Sequence, residues 1–203
     1  MPRLEPRGKA SVSKLLVVDA SVLRASGAED AVHPVPANCR DLLKLILEVC
    51  HRTAVTDPIV EEWNRHQSRF ARQWRGSMNA RGKMQRVDAT DCSDIRAMMH
   101  QPQALTATEV DAGEKDLHLV AAARSSDRII ISGDNAAQSV FRKLTSATRA
   151  IADVLWIDPV REIDPLRAWL GADGPTQPHW RLGSAPATVR RPRGRRPKQG
   201  THP

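Results

Sequence analysis

Four consecutive aliphatic residues, Leu15-Leu16-Val17-Val18, run straight into Asp19. An apolar run of this length, half of it β-branched, reads as a strand buried on both faces, which is the pattern of a parallel sheet. A carboxylate is rarely buried unless it is paired or bound to a cation. Asp19 is therefore either a turn residue or the first ligand of a site, and the other segments must decide which. A second run, Arg128-Ile129-Ile130-Ile131-Ser132, leads into Gly133-Asp134-Asn135, and Val154–Ile157 stops at Asp158-Pro159. Thr53–Thr56 is a further short strand.

Helical patterns fill the intervals. Over Ala37–His51, Leu42, Leu45, Ile46 and Val49 fall at helical spacing. Asp57-Pro58 opens the next helix, with Asp as N-cap and Pro at the first position. Ile59, Trp63, Phe70 and Trp74 share one face of that helix. Glu62 then lies about 100° from the centre of the face and Glu61 about 160° away. Glu62 falls at the rim of the core, whereas Glu61, four residues before Arg65, suits an exposed ion pair. Gly76–Lys83 reads as a basic polar loop, and Met84–His100 as a helix with Asp88, Asp91 and Asp94 on a solvated face. Thr108 caps a segment of uncertain extent. Glu114–Ala123 is apolar nearly all round and so is expected to be buried. Helices over Ala136–Ala147 and Glu162–Leu170, the latter with Trp169 facing inward, complete the set. Strands alternating with helices predict an α/β domain, a three-layer α-β-α sandwich with a mostly parallel central sheet, over residues 15–171.

The +8 net charge of the 203 residues belongs to the ends. Residues 1–14, read as a basic extension, carry +3; residues 183–203 carry +6; the body between them, 15–182, carries −1. Residues 172–203, rich in Pro, Gly, Thr and Arg, read as a disordered tail. The tail arginines, Arg190 and Arg191 among them, either attract RNA through backbone charge or form a solvated linker. Arg81 and Lys83, with Arg24, are the corresponding candidates within the body for gripping phosphate. Three cysteines with no paired spacing argue against a disulfide framework or a thiolate zinc site. No run approaches the length of a membrane span, so a soluble cytoplasmic protein is expected.

In parallel α/β sheets, sites form outside the carboxyl ends of the strands. Asp19 and Asp134 lie at such ends, Asp116 starts the helix feeding the Asp134 strand, and Glu62 sits early in a helix that follows a strand. Each has an ordinary structural explanation: a turn for Asp19 and Asp134, and a helix-dipole charge for Asp116. Together they form a set of converging carboxylates, which repel one another unless a cation sits among them. Oxygen-only ligands favour Mg²⁺ or Mn²⁺. Ser21 and Asn135 are candidates for holding a carboxylate or a metal-bound water. Glu61 and Glu114 are alternates for the acidic set, and His118 reads as a core histidine.

At these residues the chain resembles the PIN-domain nucleases. Val18-Asp19-Ala20-Ser21 is similar to their first acidic motif and Glu61-Glu62-Trp63 to their helical glutamate. Glu114-Lys115-Asp116-Leu117-His118 is similar to the third motif and Ser132-Gly133-Asp134 to the fourth, in the family's order over about 15–160. The resemblance implies a PIN-like fold and a Mg²⁺- or Mn²⁺-dependent endoribonuclease. Asp19, Glu62, Asp116 and Asp134 would be both its metal ligands and its catalytic acids, and single-stranded or structured RNA its substrate. Many members are toxins paired with an antitoxin protein, and many form homodimers. The length, the helix-rich middle and the Arg-rich tail depart from the compact toxins. A non-catalytic PIN-like module binding RNA or protein, or an RNA-processing nuclease unrelated to toxins, are the rival readings. A haloacid-dehalogenase-type phosphatase needs a second aspartate two residues after the first, where this chain has Ser21.

Overall fold

The computed structural model describes residues 12–27 and 33–184. Its centre is a five-stranded sheet of β1 (Leu15–Val18), β2 (Arg52–Val55), β3 (Met84–Arg86), β4 (Ile129–Ile131) and β5 (Leu155–Ile157), in the order β3-β2-β1-β4-β5. Every pairing is parallel. β1, β4 and β5 are buried at every residue, which is why they appear in the sequence as unbroken aliphatic runs.

Among the described residues, eight helices surround the sheet: α1 (Ala20–Ala25), α2 (Pro34–Glu48), α3 (Asp57–His66), α4 (Arg69–Ala80), α5 (Ser93–Met99), α6 (Ala107–Arg124), α7 (Asn135–Leu144) and α8 (Ile163–Ala172). α2 packs against α4 and α8, while α6 packs against α5, α7 and strands β1, β2 and β4. Parallel strands need crossover connections, which are right-handed as a rule, and the helices that make them flank the sheet in the expected α-β-α layering. The chain reverses strand order between β1 and β4, the switch point at which such sheets open a crevice.

Several local expectations are corrected. Ile59, Trp63, Phe70 and Trp74 are all buried, but on two helices. Gln67 adopts extended backbone, and the Ser68 side chain caps α4 by accepting from the Ala71 N–H. The segment 76–83 is mostly helix, since Met78 is fully buried and holds α4 in register to Ala80. Met84–Arg86 is an edge strand rather than the start of a helix, because it pairs with Thr53–Val55. α6 begins at Ala107 under a capping box of Thr106 and Glu109, not under Thr108, and runs unbroken to Arg124.

Residues 172–184, expected to belong to a disordered tail, are instead packed on the domain. Pro178–Trp180 forms a 3-10 turn, and Arg181 makes an antiparallel bridge with Leu155 on the edge strand β5. Trp180 is 1% exposed and meets the Trp169 ring edge-on at 5.4 Å. Arg142 fastens this strap, donating to the carbonyls of Arg181, Ser184 and His179. One buried tryptophan and Leu182 outweigh a composition that by itself argued against packing. Residues 1–11 and 185–203, Arg190 and Arg191 included, lie outside the described residues.

Candidate metal and phosphate site

Register places the site. Val18 lies opposite Ile131, and Ile131 opposite Ile157, so Asp19, Ser132 and Asp158 form one row just past the strand ends. The Asp19 N–H donates to the Ile131 carbonyl at 3.0 Å, carrying the ladder up to the site. Asp19 is 5% exposed. Its Oδ2 accepts from Ser132 Oγ at 2.7 Å and from Ser21 Oγ. Both hydroxyls use Oδ2, so neither occupies Oδ1. Ser21 also accepts from the Gly133 N–H and Ser132 from the Asp134 N–H, each at 3.0 Å, so two serines lock the ends of β1 and β4 together.

Asp134 is the N-cap of α7. Its Oδ1 accepts from the N–H groups of Ala136 at 3.0 Å and Ala137 at 2.9 Å, which leaves Oδ2 unused by the cap. Glu62 reaches the same place from α3. Trp63 orients that helix, its indole N–H donating to the Val18 carbonyl at 3.0 Å. Asp116 comes from the third turn of α6 and is 3% exposed.

The four carboxylates line one cleft of about 60 Å³, with Ala20, Ser21, Arg24, His66 and Lys115. Burial pushes the Asp116 carboxyl up to about 7, and the negative charges of Asp19, Asp134 and Glu62 add to that push while Lys115 opposes it. Acids that raise the proton affinity of Asp116 are electrostatically close to it. Among the described residues, no three Asp, Glu, His or Cys side chains are gathered into a preassembled cation cage. The four carboxylates offer oxygen donors, which suit a hard divalent cation rather than zinc.

The alternates separate cleanly. Glu61 is exposed and lines no part of the cleft. Glu114 faces α5, where its carboxylate accepts from Arg96 Nε at 3.0 Å and pairs with His100 at 3.1 Å. Ser21 holds the Asp19 carboxylate, and Asn135 holds a carboxylate outside the four, that of Asp158. The Asn135 amide donates to the Gly133 carbonyl at 3.2 Å and to Asp158 Oδ2 at 3.3 Å. Arg81 and Lys83 are also corrected. They lie just before β3, at the opposite edge of the sheet, and donate to carbonyls at the end of α2: Arg81 to Leu47 and Lys83 to Ile46, Leu47 and Val49. Arg24 is exposed at the rim of the cleft.

Two residues escaped the sequence reading. Ser132 follows a buried strand and has no spacing that marks it; only its register opposite Asp19 shows its role. His118 is neither a plain core residue nor a ligand. Its Nδ1 lies 2.9 Å from the Lys115 carbonyl and, since a carbonyl only accepts, carries a hydrogen there. Its Nε2 stands 3.3 Å from Glu62 Oε2, a charge contact lacking the alignment of a hydrogen bond. The i+2 position after Asp116 could have signalled this only with α3 already placed.

Compared with models of protein families, with curated proteins and with solved structures, the chain matches none. No helix among the described residues is long and apolar enough to cross a membrane.

Proposed function

We propose that this chain is a Mg²⁺- or Mn²⁺-dependent phosphodiesterase acting on RNA, an endoribonuclease whose metal ligands are Asp19, Glu62, Asp116 and Asp134. The observation that carries the proposal is the meeting of four carboxylates, from β1, α3, α6 and α7, in one cleft at the switch point of a parallel sheet. Divalent ions bound there would polarise a phosphodiester, lower the pKa of a water and stabilise the leaving oxygen. The chain's own contribution is positional. Ser21 and Ser132 fix the Asp19 carboxylate, the α7 cap fixes Asp134, and His118 stands against Glu62. Arg24, His66 and Lys115 put basic groups at the cleft's edge, where a phosphate entering an acidic pocket needs compensation.

The resemblance to PIN-domain nucleases supports RNA as the substrate, and it alone supports an antitoxin partner, a toxin role and a homodimer. Free thiols at Cys39 and Cys92 suit a cytoplasmic setting. The test is cleavage of a labelled single-stranded RNA by the purified chain with Mn²⁺ or Mg²⁺. Cleavage is expected, and is expected to disappear in EDTA and in Asp19→Asn. Undiminished cleavage under either condition would overturn the metal-site reading; RNA binding with no cleavage at any metal concentration would favour the non-catalytic module.

A further inference from the structure

The face of α3 and α4 beside the cleft has a charge pattern that the proposed chemistry does not use. From Trp63 to Val87 the chain contains no aspartate or glutamate, within a body of net charge −1. Arg65, Arg69 and Arg72 are exposed there, and Arg75 is half-buried. A groove of about 390 Å³ opens on this face, lined by Gln67, Arg72, Arg75, Gly76, Asn79 and Met84. Its lining includes Gln67, the residue after His66, which itself lines the carboxylate cleft, so consecutive residues where α3 gives way to α4 border the two hollows. The 12 residues of α4 extend about 18 Å from that junction.

The groove is already organised. Arg75 Nη1 donates to Asn64 Oδ1 at 2.6 Å, and its guanidinium lies 5.8 Å from the centre of the Trp63 ring. The arginine is thus held by the residue that follows Glu62. A Cβ added to Gly76 would meet nothing within 4 Å, so the middle of the groove is open. Gln67 and Asn79 supply amides that can donate to phosphate, and exposed Asn79 can also accept from a ribose hydroxyl. Guanidinium groups repeated along a helix, continuing the basic rim of Arg24, His66 and Lys115, suit an extended chain with evenly spaced phosphates.

We propose that the α4 groove binds the sugar–phosphate backbone of a single-stranded RNA whose scissile bond lies in the carboxylate cleft. The inference rests on the phosphodiesterase reading only for where the strand is cut. The measurement is fluorescence anisotropy of an oligouridylate of about 20 nucleotides against the full chain in EDTA, over a salt series. Arg72→Gln combined with Arg75→Gln is expected to weaken binding on the order of tenfold and to flatten the log–log salt slope by roughly 1.4, the signature of two lost phosphate contacts. Arg75 also packs on Trp63, so Gly76→Leu serves as a second variant. It fills the groove without changing charge, improves helix propensity, and is expected to weaken binding several-fold. Unchanged affinity in both variants would overturn the proposal. So would a poly-glutamate chain binding as tightly as the RNA, which would assign the groove to an acidic protein segment. Groove-dependent binding in a chain that cleaves under no metal condition would remove the phosphodiesterase reading and leave this one standing. Metal-dependent cleavage with groove variants that bind normally would do the reverse.

Discussion

Trp63 donates its indole N–H to the carbonyl oxygen of Val18 at 3.0 Å, joining the residue after Glu62 to the residue before Asp19. One hydrogen bond between a helix and a strand end thus sets the spacing of two of the four acids. Trp63 is fully buried and meets Trp74 edge-on at 6.1 Å, so the anchor is packed as well as bonded. Trp63→Phe keeps most of the ring and loses the donor. It is expected to cost about 1 kcal/mol of stability in denaturant melts and to lower metal-dependent cleavage well beyond that loss. Equal activity in the variant would show that Glu62 is positioned independently of β1.

Asp134 has two roles that one pair of variants can separate. As N-cap of α7 its Oδ1 accepts two backbone N–H groups, and an asparagine oxygen can do the same. Asp134→Asn should therefore melt within a degree or two of the parent, while Asp134→Ala should lose about 1 kcal/mol. Both are expected to abolish cleavage. Retained activity in Asp134→Asn would remove Asp134 from the metal ligands.

The Asp116 carboxyl makes stability depend on pH in a definite direction. Its proton is held to about 7 in the folded chain, against 3.8 as the ordinary value. Between those limits the folded state binds more protons than the unfolded one, so stability falls as pH rises. In EDTA the chain is expected to lose on the order of 3–4 kcal/mol from this source between about pH 4 and pH 7. Asp116→Asn should flatten that decline in thermal melts, and added Mg²⁺ should reverse it in the parent. A parent whose melting temperature in EDTA rises steadily over the same range would contradict the assignment.

His118 should matter to metal binding more than to folding. His118→Gln keeps a polar group near Glu62, whereas His118→Leu removes it. The leucine variant is expected to need roughly tenfold more Mn²⁺ for half-maximal cleavage, with glutamine recovering most of the difference. A metal titration that does not distinguish the two variants would make His118 a packing residue.

The C-terminal strap is expected to be structural. Ending the chain after Gly171 removes Trp180 and Leu182 from the core and leaves the β5 edge uncovered, so the product should unfold or aggregate. Ending it after Ser184 should leave the melting temperature nearly unchanged. Trp180→Ala by itself is expected to cost about 3–5 kcal/mol.

The sequence by itself determined the class of the fold and the main acids of the site. Buried parallel strands must be aliphatic throughout, so Leu15–Val18 and Ile129–Ile131 stand out, and the aspartates that follow them are marked by position. Helical geometry favours Glu62 over Glu61 and leaves Glu61 as an alternate; of the two, Glu62 lines the cleft. Short polar elements were not legible. β3, written Met-Gln-Arg, is a strand only because β2 lies beside it. The break at Gln67–Ser68 is invisible to a periodicity that continues across it, and Trp180 was one apolar residue in a composition of prolines and arginines.

What only the tertiary structure decided was which side chains face each other. Ser132 serves Asp19 because of strand register, Asn135 turns to Asp158, and Lys83 is occupied by the end of α2. Glu114 lies two residues from Asp116, about 200° around the helix, and so belongs to a different surface. The physical reason is common to all of these. Periodicity and propensity act along the chain and are written in it locally, whereas a site is made by contacts between segments far apart in sequence, and their register and docking angle are settled only when the core packs.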